Sequence, residues 1–191
     1  MNVVTRATVF VLCLLPFAYL VYATLNGLNG PDPAEAIMHA TGEWAARFLL
    51  LSLLISPLRQ WGGWPALLKL RRMLGLYSFF YACVHLTTFA HFYLGWTPSS
   101  LLEELLERPY ITLGFSAWLL LLPLALTSTR FMQRKLRRNW QRLHRLVYPA
   151  AIAVCLHILW QARSDVGEAL IYITLFGWML AWRYLRYQRR S

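Results

Sequence analysis

The sequence predicts an all-α membrane protein, a bundle of six transmembrane helices with both termini in the cytoplasm. Hydrophobic residues make up 58% of the 191-residue chain and charged residues only 14%, which is too apolar for an ordinary water-soluble domain. The apolar residues fall in six runs that could each cross the hydrocarbon core, and Lys and Arg cluster between alternate runs. No Ser/Gly-rich linker or solenoid repeat interrupts the chain, so we expect a single domain over residues 1–191.

Six apolar segments are predicted to span the membrane. In chain order they are approximately Ala7 to Leu25, Trp44 to Ile55, Leu74 to Leu94, Tyr110 to Thr127, Leu146 to Ala162 and Ala169 to Tyr184. The second is the weakest, because Arg47 lies near one end and Pro57 is expected to close it; an arginine so near the interface can extend its charge to water. The first could be a signal peptide, but it reaches Asn26-Gly27 without a clear small-x-small cleavage site, which favours a retained helix.

Loop charges predict the orientation, because Lys and Arg beside membrane spans are retained in the cytoplasm. With the N-terminus inside, most basic residues are cytoplasmic: Arg6, Arg59, Lys69, Arg71, Arg72, the cluster from Arg130 to Arg145, Arg183, Arg186, Arg189 and Arg190. Three basic and all eight acidic residues are then outside: Arg47, Arg108, Arg163, Asp32, Glu35, Glu43, Glu103, Glu104, Glu107, Asp165 and Glu168. Loops against a membrane surface therefore explain the net charge of +11, and no nucleic-acid partner is expected.

Two connections are predicted to contain helices of their own. In the outer one, Ser100 to Glu103 has capping-box spacing and Pro109 should end the helix that begins there, which indicates a short acidic surface helix. In the inner one, four apolar residues recur at helical spacing among Arg and Lys: Leu136, Trp140, Leu143 and Val147. That pattern is typical of a basic amphipathic helix lying in the membrane interface.

His85 and His157 lie deep in the third and fifth spans, each about twelve residues into an apolar stretch beyond a basic cluster. An ionisable side chain so deep in a membrane indicates a functional site. If their helices are neighbours, two imidazoles at one depth can bind a haem iron from opposite sides. Small residues share their helix faces, which leaves room for a flat macrocycle but also suits ordinary close packing: Ser78, Ala82, Thr88, Ala150 and Ala153. A hydrogen-bonded core histidine remains the alternative for each.

The other histidines are predicted to lie nearer the membrane surfaces. His144 precedes His157 by thirteen residues, roughly 20 Å of helical rise, so the two cannot bind one iron. His144 could bind a second haem, contact a propionate, or line a quinone or flavin site; an interfacial histidine without a ligand is equally compatible. His91 is expected in the outer aromatic belt, and His39 in a capping or outer-rim position before the second span.

Eight short segments are weak signals singly but specific together: Leu15-Pro16-Phe17, His39-Ala-Thr41-Gly42, Arg71-Arg72-Met-Leu-Gly75-Leu, His85-Leu-Thr87, Arg108-Pro-Tyr-Ile-Thr-Leu-Gly114, Leu126-Thr-Ser-Thr129, Trp140-Gln-Arg-Leu-His144 and His157-Ile-Leu-Trp160. On these segments the chain resembles, over nearly its whole length, the haem-binding membrane subunits of bacterial periplasmic methionine-sulfoxide reductase systems, the MsrQ family. That family belongs to the ferric-reductase-like transmembrane superfamily.

The resemblance implies a multi-pass protein of the bacterial inner membrane that binds haem b, with His85, His144 and His157 at the family's histidine positions, and it leaves room for a flavin mononucleotide (FMN). It implies electrons drawn from membrane quinol or a cytoplasmic flavin reductase, and delivered to a molybdopterin-containing periplasmic methionine-sulfoxide reductase subunit. Two-haem members of the superfamily carry two ligand histidines on the third span as well as on the fifth. Here Arg72 stands thirteen residues before His85, so one haem is expected.

These observations together predict a non-catalytic electron-transfer subunit in which His85 and His157 bind one haem in the outer half of the membrane. Two protein ligands leave the iron no open position for substrate, so the site passes electrons, and chemistry on methionine sulfoxide takes place in the partner. His144 and its basic surroundings are the candidate site where electrons enter, and the acidic helix around Glu103 to Glu107 could help dock the partner. The competing hypothesis is a small membrane transporter or assembly scaffold whose histidines relay protons or bond across helices.

Overall fold

The computed structural model describes residues 2–162 and 166–188, which form nine α-helices and no β-strand. In chain order they are α1 (Val3–Leu25), α2 (Pro33–Gly62), α3 (Leu68–Phe92), α4 (Pro98–Glu107), α5 (Pro109–Leu126), α6 (Arg130–Leu136), α7 (Arg138–Leu143), α8 (Val147–Gln161) and α9 (Val166–Gln188). Four charged residues used to predict the orientation, and the side chain of a fifth, lie outside the described residues: Arg163, Asp165, Arg189, Arg190 and Glu168.

Four helical segments in the described ranges are long and apolar enough to cross a membrane. They are Val3–Leu25, Pro65–Phe92, Pro109–Leu126 and Arg138–Gln161, and they correspond to the first, third, fourth and fifth predicted spans. Helices α2 and α9 occupy the places of the second and sixth predicted spans, but they are not among the four. An all-α architecture with several membrane-compatible helices is therefore confirmed, whereas the count of six spans stays a prediction.

Helix α2 differs most from its prediction, because it is continuous over thirty residues rather than from Trp44 to Ile55. It begins after Asp32, whose side chain accepts a hydrogen bond from the Glu35 amide at 3.0 Å, and it ends at Gly63, where φ is 66°. The prediction that Pro57 closes the helix is wrong, since Pro57 is buried inside it. Proline removes one backbone donor, and membrane helices tolerate that loss where neighbours pack around it.

The basic connection after α5 is also different from its prediction, because it is not one amphipathic helix. Arg137 has φ of 47°, a conformation that non-glycine residues rarely adopt, and it separates α6 from α7. Helix α7 then continues through a 3₁₀ turn, His144–Leu146, into α8. Leu136 therefore lies before the break at Arg137. The other three residues with helical spacing, Trp140, Leu143 and Val147, lie in the segment that leads into the fifth predicted span.

The predicted acidic outer helix is confirmed as α4, although its ends are set differently. Ser100 lies inside the helix, which begins at Pro98, so it does not cap it. Pro109 occupies the first turn of α5, where its missing N–H group would have no helical partner anyway. Between the two helices, Arg108 Nε lies 3.2 Å from Glu104 Oε2.

The chain divides into two compact units, of which the first covers Met1–Leu101. Its core is the pair α2 and α3, which tyrosines connect to α1. Tyr77 donates to the Phe10 carbonyl at 2.7 Å. Tyr81 donates to the Cys13 carbonyl at 3.0 Å and accepts from the Phe17 amide at 3.0 Å, so its hydroxyl is inserted into the backbone ladder of α1. Apart from these contacts α1 is mostly exposed and apolar, as expected of a helix surrounded by lipid.

The second unit covers Leu102–Ser191, and α8 is its central helix. Helices α5 and α8 pack together, and both contain small buried residues: Ala117, Ala150, Ala151 and Ala153. Phe176 and Met179 of α9 are also fully buried. At the other end of α5, Trp140 Nε1 donates to the carbonyl of Thr127 at 3.0 Å, and this bond connects α7 to the end of that helix.

Candidate functional site

His85 is held within the first unit by a backbone carbonyl of α2. Its Nδ1 atom lies 3.0 Å from the Met38 carbonyl oxygen and 3.3 Å from the Thr41 hydroxyl. Because a carbonyl only accepts hydrogen bonds, Nδ1 must carry the proton, and the lone pair of the neutral ring is then on Nε2. The helix partner therefore selects the tautomer whose Nε2 atom can coordinate a metal.

The His85 ring also lies directly against Gly42, one helical turn after Met38. A Cβ atom added at Gly42 would lie only 3.1 Å from both Nδ1 and Cε1 of the ring, closer than the roughly 3.5–4.0 Å at which non-bonded carbon atoms attract. The ring thus fits against α2 because this position has no side chain.

His157 has the same two kinds of contact, a carbonyl and a glycine, within the second unit. Its Nδ1 atom donates to the Tyr110 carbonyl of α5 at 2.7 Å, which again places the lone pair on Nε2. Gly114 lies one turn after Tyr110, and a Cβ atom there would be 2.9 Å from both Nδ1 and Cε1. The Tyr110 ring lies nearby, with its centroid 6.3 Å from that of the imidazole.

The two arrangements share one spacing along the chain. Each histidine comes 47 residues after its carbonyl partner and 43 after its glycine. Both glycines lie inside the family-like segments of the sequence, but no role was predicted for them. Aligning the sequence before His85 with the sequence before His157 would have found Gly42 and Gly114, because a glycine stands 43 residues before each histidine.

His144 lies at the junction of α7 and α8, beside Trp140. Its Nδ1 atom donates to the Trp140 carbonyl at 3.1 Å, and its ring stacks on the indole with centroids 3.9 Å apart. Trp140 in turn donates to the end of α5. The imidazole is therefore fixed and half-buried, and seven basic residues occur in the surrounding sequence: Arg130, Arg134, Lys135, Arg137, Arg138, Arg142 and Arg145.

The remaining two histidines are exposed. His91 accepts a hydrogen bond from Trp96 Nε1 at 3.3 Å, which suits the predicted position in an aromatic belt. His39 lies within α2, and its Nε2 atom is 3.7 Å from Glu35. Since Asp32 caps this helix, a capping role for His39 is wrong, and only its predicted position at the rim remains.

The chemistry of the deep histidines fits haem better than it fits a free metal ion. In the described ranges, no three His, Cys, Asp or Glu side chains are grouped so that they could hold a metal ion. Haem needs only axial ligands from the protein, because its porphyrin supplies the other four. Metal-ligating histidines usually donate their second nitrogen to a carbonyl or carboxylate, as His85 and His157 both do.

An apolar cavity of about 680 Å³ also lies in the first unit, lined by α1, α2, the loop between them and Tyr81 of α3. Trp44 and Tyr81 line it, but no histidine of the described chain does. It is therefore distinct from the surroundings of His85.

A model of the family described as "Ferric reductase like transmembrane component" matches residues 41–155. Three relatives carry the description "Protein-methionine-sulfoxide reductase heme-binding subunit MsrQ". The relative from Xanthomonas oryzae pv. oryzae is 45% identical over 95% of this chain and 86% of its own length. The relative from Enterobacter sp. is 46% identical over 92% and 89%, and that from Xanthomonas euvesicatoria pv. vesicatoria is 50% identical over 81% and 71%. No solved structure gives a significant match.

Proposed function

The chain belongs to the ferric-reductase-like transmembrane family and, within it, to the MsrQ subunits, and on that premise we propose that it is a haem b electron-transfer subunit. It takes electrons from membrane quinol or a cytoplasmic flavin reductase and passes them to a periplasmic molybdopterin methionine-sulfoxide reductase subunit. The description of the relatives, which names a heme-binding subunit of that reductase, supports this function. The physiological role is then the repair of oxidised periplasmic proteins.

The matched geometry of His85 and His157 is the observation that carries the proposal. Each ring is fixed by a carbonyl that keeps the proton on Nδ1, so each would offer the lone pair of Nε2 to a haem iron. When bound, haem supplies an iron centre that gains and loses one electron. The carbonyl hydrogen bonds would keep the proton on Nδ1 and the orientation of both imidazoles fixed while such a group is bound.

His144 and the basic segment around it are the proposed place where electrons enter. The imidazole is held by two contacts to Trp140, which gives a flat, fixed surface at one end of α5 and α8. The positive charge of this segment attracts an anionic group, such as the phosphate of FMN or the acidic surface of a flavin reductase. We expect FMN, where present, to bind here.

The proposed membrane arrangement has six spans, with α2 and α9 added to the four strongly apolar segments. Basic residues at the junction of α2 and α3, and in α6 and α7, then lie in the cytoplasm of a bacterial inner-membrane protein with both termini inside. Residues 1–191 are proposed to form one functional domain. Reporter fusions at the loops test this: a C-terminal reporter that is active only in the periplasm should be inactive, and its activity would contradict the orientation.

Helix α4 is the proposed docking surface for the periplasmic partner. Glu103 and Glu107 are exposed on it, and the proposed orientation places them outside the membrane. Charged residues at the rim of an interface mainly alter the rate of association and its dependence on salt. Substituting both with Gln should therefore slow docking at low salt without altering the haem.

Reconstitution tests the function directly. Purified protein should show a Soret band and a split α band when reduced, and quinol or reduced flavin should reduce it. Adding the periplasmic subunit and methionine sulfoxide should then reoxidise it, with methionine as the product. Folded but colourless protein would contradict the haem function and favour a transporter or scaffold, and coloured protein that the donors cannot reduce would contradict the donor assignment.

A further inference from the structure

Gly42 and Gly114 lie inside helices, and their backbone conformation does not require a glycine. The described glycines with positive φ are Gly27, Gly30, Gly63 and Gly95, and Gly42 and Gly114 are not among them. Glycine is the least favourable residue in a helix interior after proline. At these two positions the missing Cβ atom is the difference that a neighbour can use.

In both cases that neighbour is a candidate haem ligand. The three heavy atoms nearest to a Cβ at Gly42 all belong to the His85 ring, and the three nearest to a Cβ at Gly114 all belong to the His157 ring. The ring crosses its partner helix at the glycine and donates to the carbonyl one turn earlier. A side chain at the glycine would push the ring away from this carbonyl, since both contacts involve Nδ1.

We propose that Gly42 and Gly114 are positioning residues, which seat the His85 and His157 imidazoles for haem ligation by leaving the backbone of α2 and α5 open to each ring. This inference rests on the proposed haem function. Each glycine orients a histidine that lies 43 positions later in the sequence, and the glycine itself is not a ligand.

Alanine substitutions test the inference in the full-length protein. Gly42→Ala and Gly114→Ala should each lower the haem content per folded protein, because overpacking by one methyl group weakens binding roughly tenfold. Any haem that remains should show a changed electron paramagnetic resonance spectrum and midpoint potential, since both report the orientation of the axial rings. Unchanged haem content, spectrum and potential in either variant would overturn the inference for that glycine.

Two other helical glycines provide matched controls. Gly75 lies in α3, the helix of His85, and Gly177 lies in α9; a Cβ atom at either meets nothing within 4 Å. Gly75→Ala and Gly177→Ala should therefore leave the haem content, spectrum and potential unchanged. Equal losses in these variants would show that the helices tolerate no alanine, and the specific role would be refuted.

A suppression experiment covers the case in which Gly42→Ala does not fold. Replacing the imidazole as well, in the double variant Gly42→Ala with His85→Gly, removes the atoms that the new Cβ would meet. The double variant should elute as a monodisperse peak in detergent at the level of His85→Gly alone. If it fails to fold although His85→Gly folds, the Cβ clashes with something else and the inference is wrong.

The ligand roles and the positioning roles can fail separately. If His85→Ala and His157→Ala retain haem, the proposed function loses its ligands whatever the glycine variants do. If those variants lose haem while Gly42→Ala and Gly114→Ala keep the unmodified spectrum and potential, the ligands stand and only the positioning role is wrong.

Discussion

In the first unit His85 donates to the Met38 carbonyl with the Thr41 hydroxyl 3.3 Å away, whereas in the second unit His157 donates to the Tyr110 carbonyl at a place with no equivalent threonine. The residue equivalent to Thr41, 72 positions later, is Leu113, which has no hydroxyl group. The carbonyl and the glycine are thus common to both units. The contact with a threonine hydroxyl belongs to the first.

The surroundings of the two histidines differ further along the same helices. One turn before His85 stands Tyr81, which bonds to α1; one turn before His157 stands the small Ala153. Thirteen residues before His85 the chain has Arg72, and thirteen before His157 it has His144. The two units therefore share the contacts that hold each histidine and differ in the residues around it.

The largest expected effect concerns the feature that both units share, a histidine held by a backbone carbonyl. His85→Ala and His157→Ala should each abolish the low-spin haem spectrum, because either change removes one of two axial ligands. Absorbance spectra of purified variants, scaled to protein, measure the loss. His91→Ala and His39→Ala, which alter exposed histidines, should keep the spectrum. Retention of normal haem in just one deep-histidine variant would break the equivalence of the two units.

The next effect concerns His144, which stands thirteen residues before His157, whereas Arg72 stands thirteen residues before His85. His144→Ala should retain most of the haem but slow its reduction by quinol or flavin roughly tenfold, the change that about 1.4 kcal/mol produces in a rate. Stopped-flow absorbance at the α band measures the reduction over time. His91→Ala is the control for loss of an imidazole elsewhere. Complete loss of haem from His144→Ala would instead make His144 a ligand.

A smaller effect tests the structural contact of the first unit. Tyr81→Phe leaves the Cys13 carbonyl and the Phe17 amide without their bridging hydroxyl, and such bonds contribute about 1 kcal/mol in membrane proteins. The thermal unfolding midpoint in detergent should fall, while haem content stays normal. Tyr22→Phe changes an exposed tyrosine of α1 and should have no effect. An unaltered midpoint for Tyr81→Phe would show that this bond adds no stability.

The smallest effect concerns the polar contact that distinguishes the two rings. The Thr41 hydroxyl donates to carbonyls of its own helix, so its oxygen can accept from the Nδ1–H of His85. This bond would make the ring more electron-rich and, in the proposed haem site, would favour oxidised iron. Thr41→Val should raise the midpoint potential by up to roughly 40 mV, the equivalent of about 1 kcal/mol for one electron. Thr88→Val, which removes a hydroxyl bonded within α3, is the control. A fall in potential for Thr41→Val would contradict the assigned polarity.

Sequence patterns identified the helices wherever burial in lipid alone decides the composition. The apolar segments of α1, α3, α5 and α8 were predictable for that reason, whereas the depth of His85 and His157 in the membrane stays a prediction. Helix α2 was underestimated because its first half mixes acidic and polar residues with apolar ones, and hydropathy detects only strongly apolar segments. The break at Arg137 was not predictable, because no glycine or proline stands beside it.

The support of the two histidines could not be predicted from local patterns. Gly42 and His85 meet only because α2 and α3 pack together, and nothing in the residues beside Gly42 indicates which side chain crosses it. The same holds for the carbonyl of Tyr110, since any helix residue has a carbonyl. Spacing and depth predict a ligand, whereas the contacts that orient it depend on tertiary packing.

The most direct test of the central claim is the ratio of haem to protein in the purified, full-length chain, measured together with His85→Ala and His157→Ala. We expect about one haem per chain, and nearly none in each variant, because both imidazoles are proposed ligands of one haem. Two haems per chain, with each variant losing one of them, would contradict that claim, and so would a folded protein without haem.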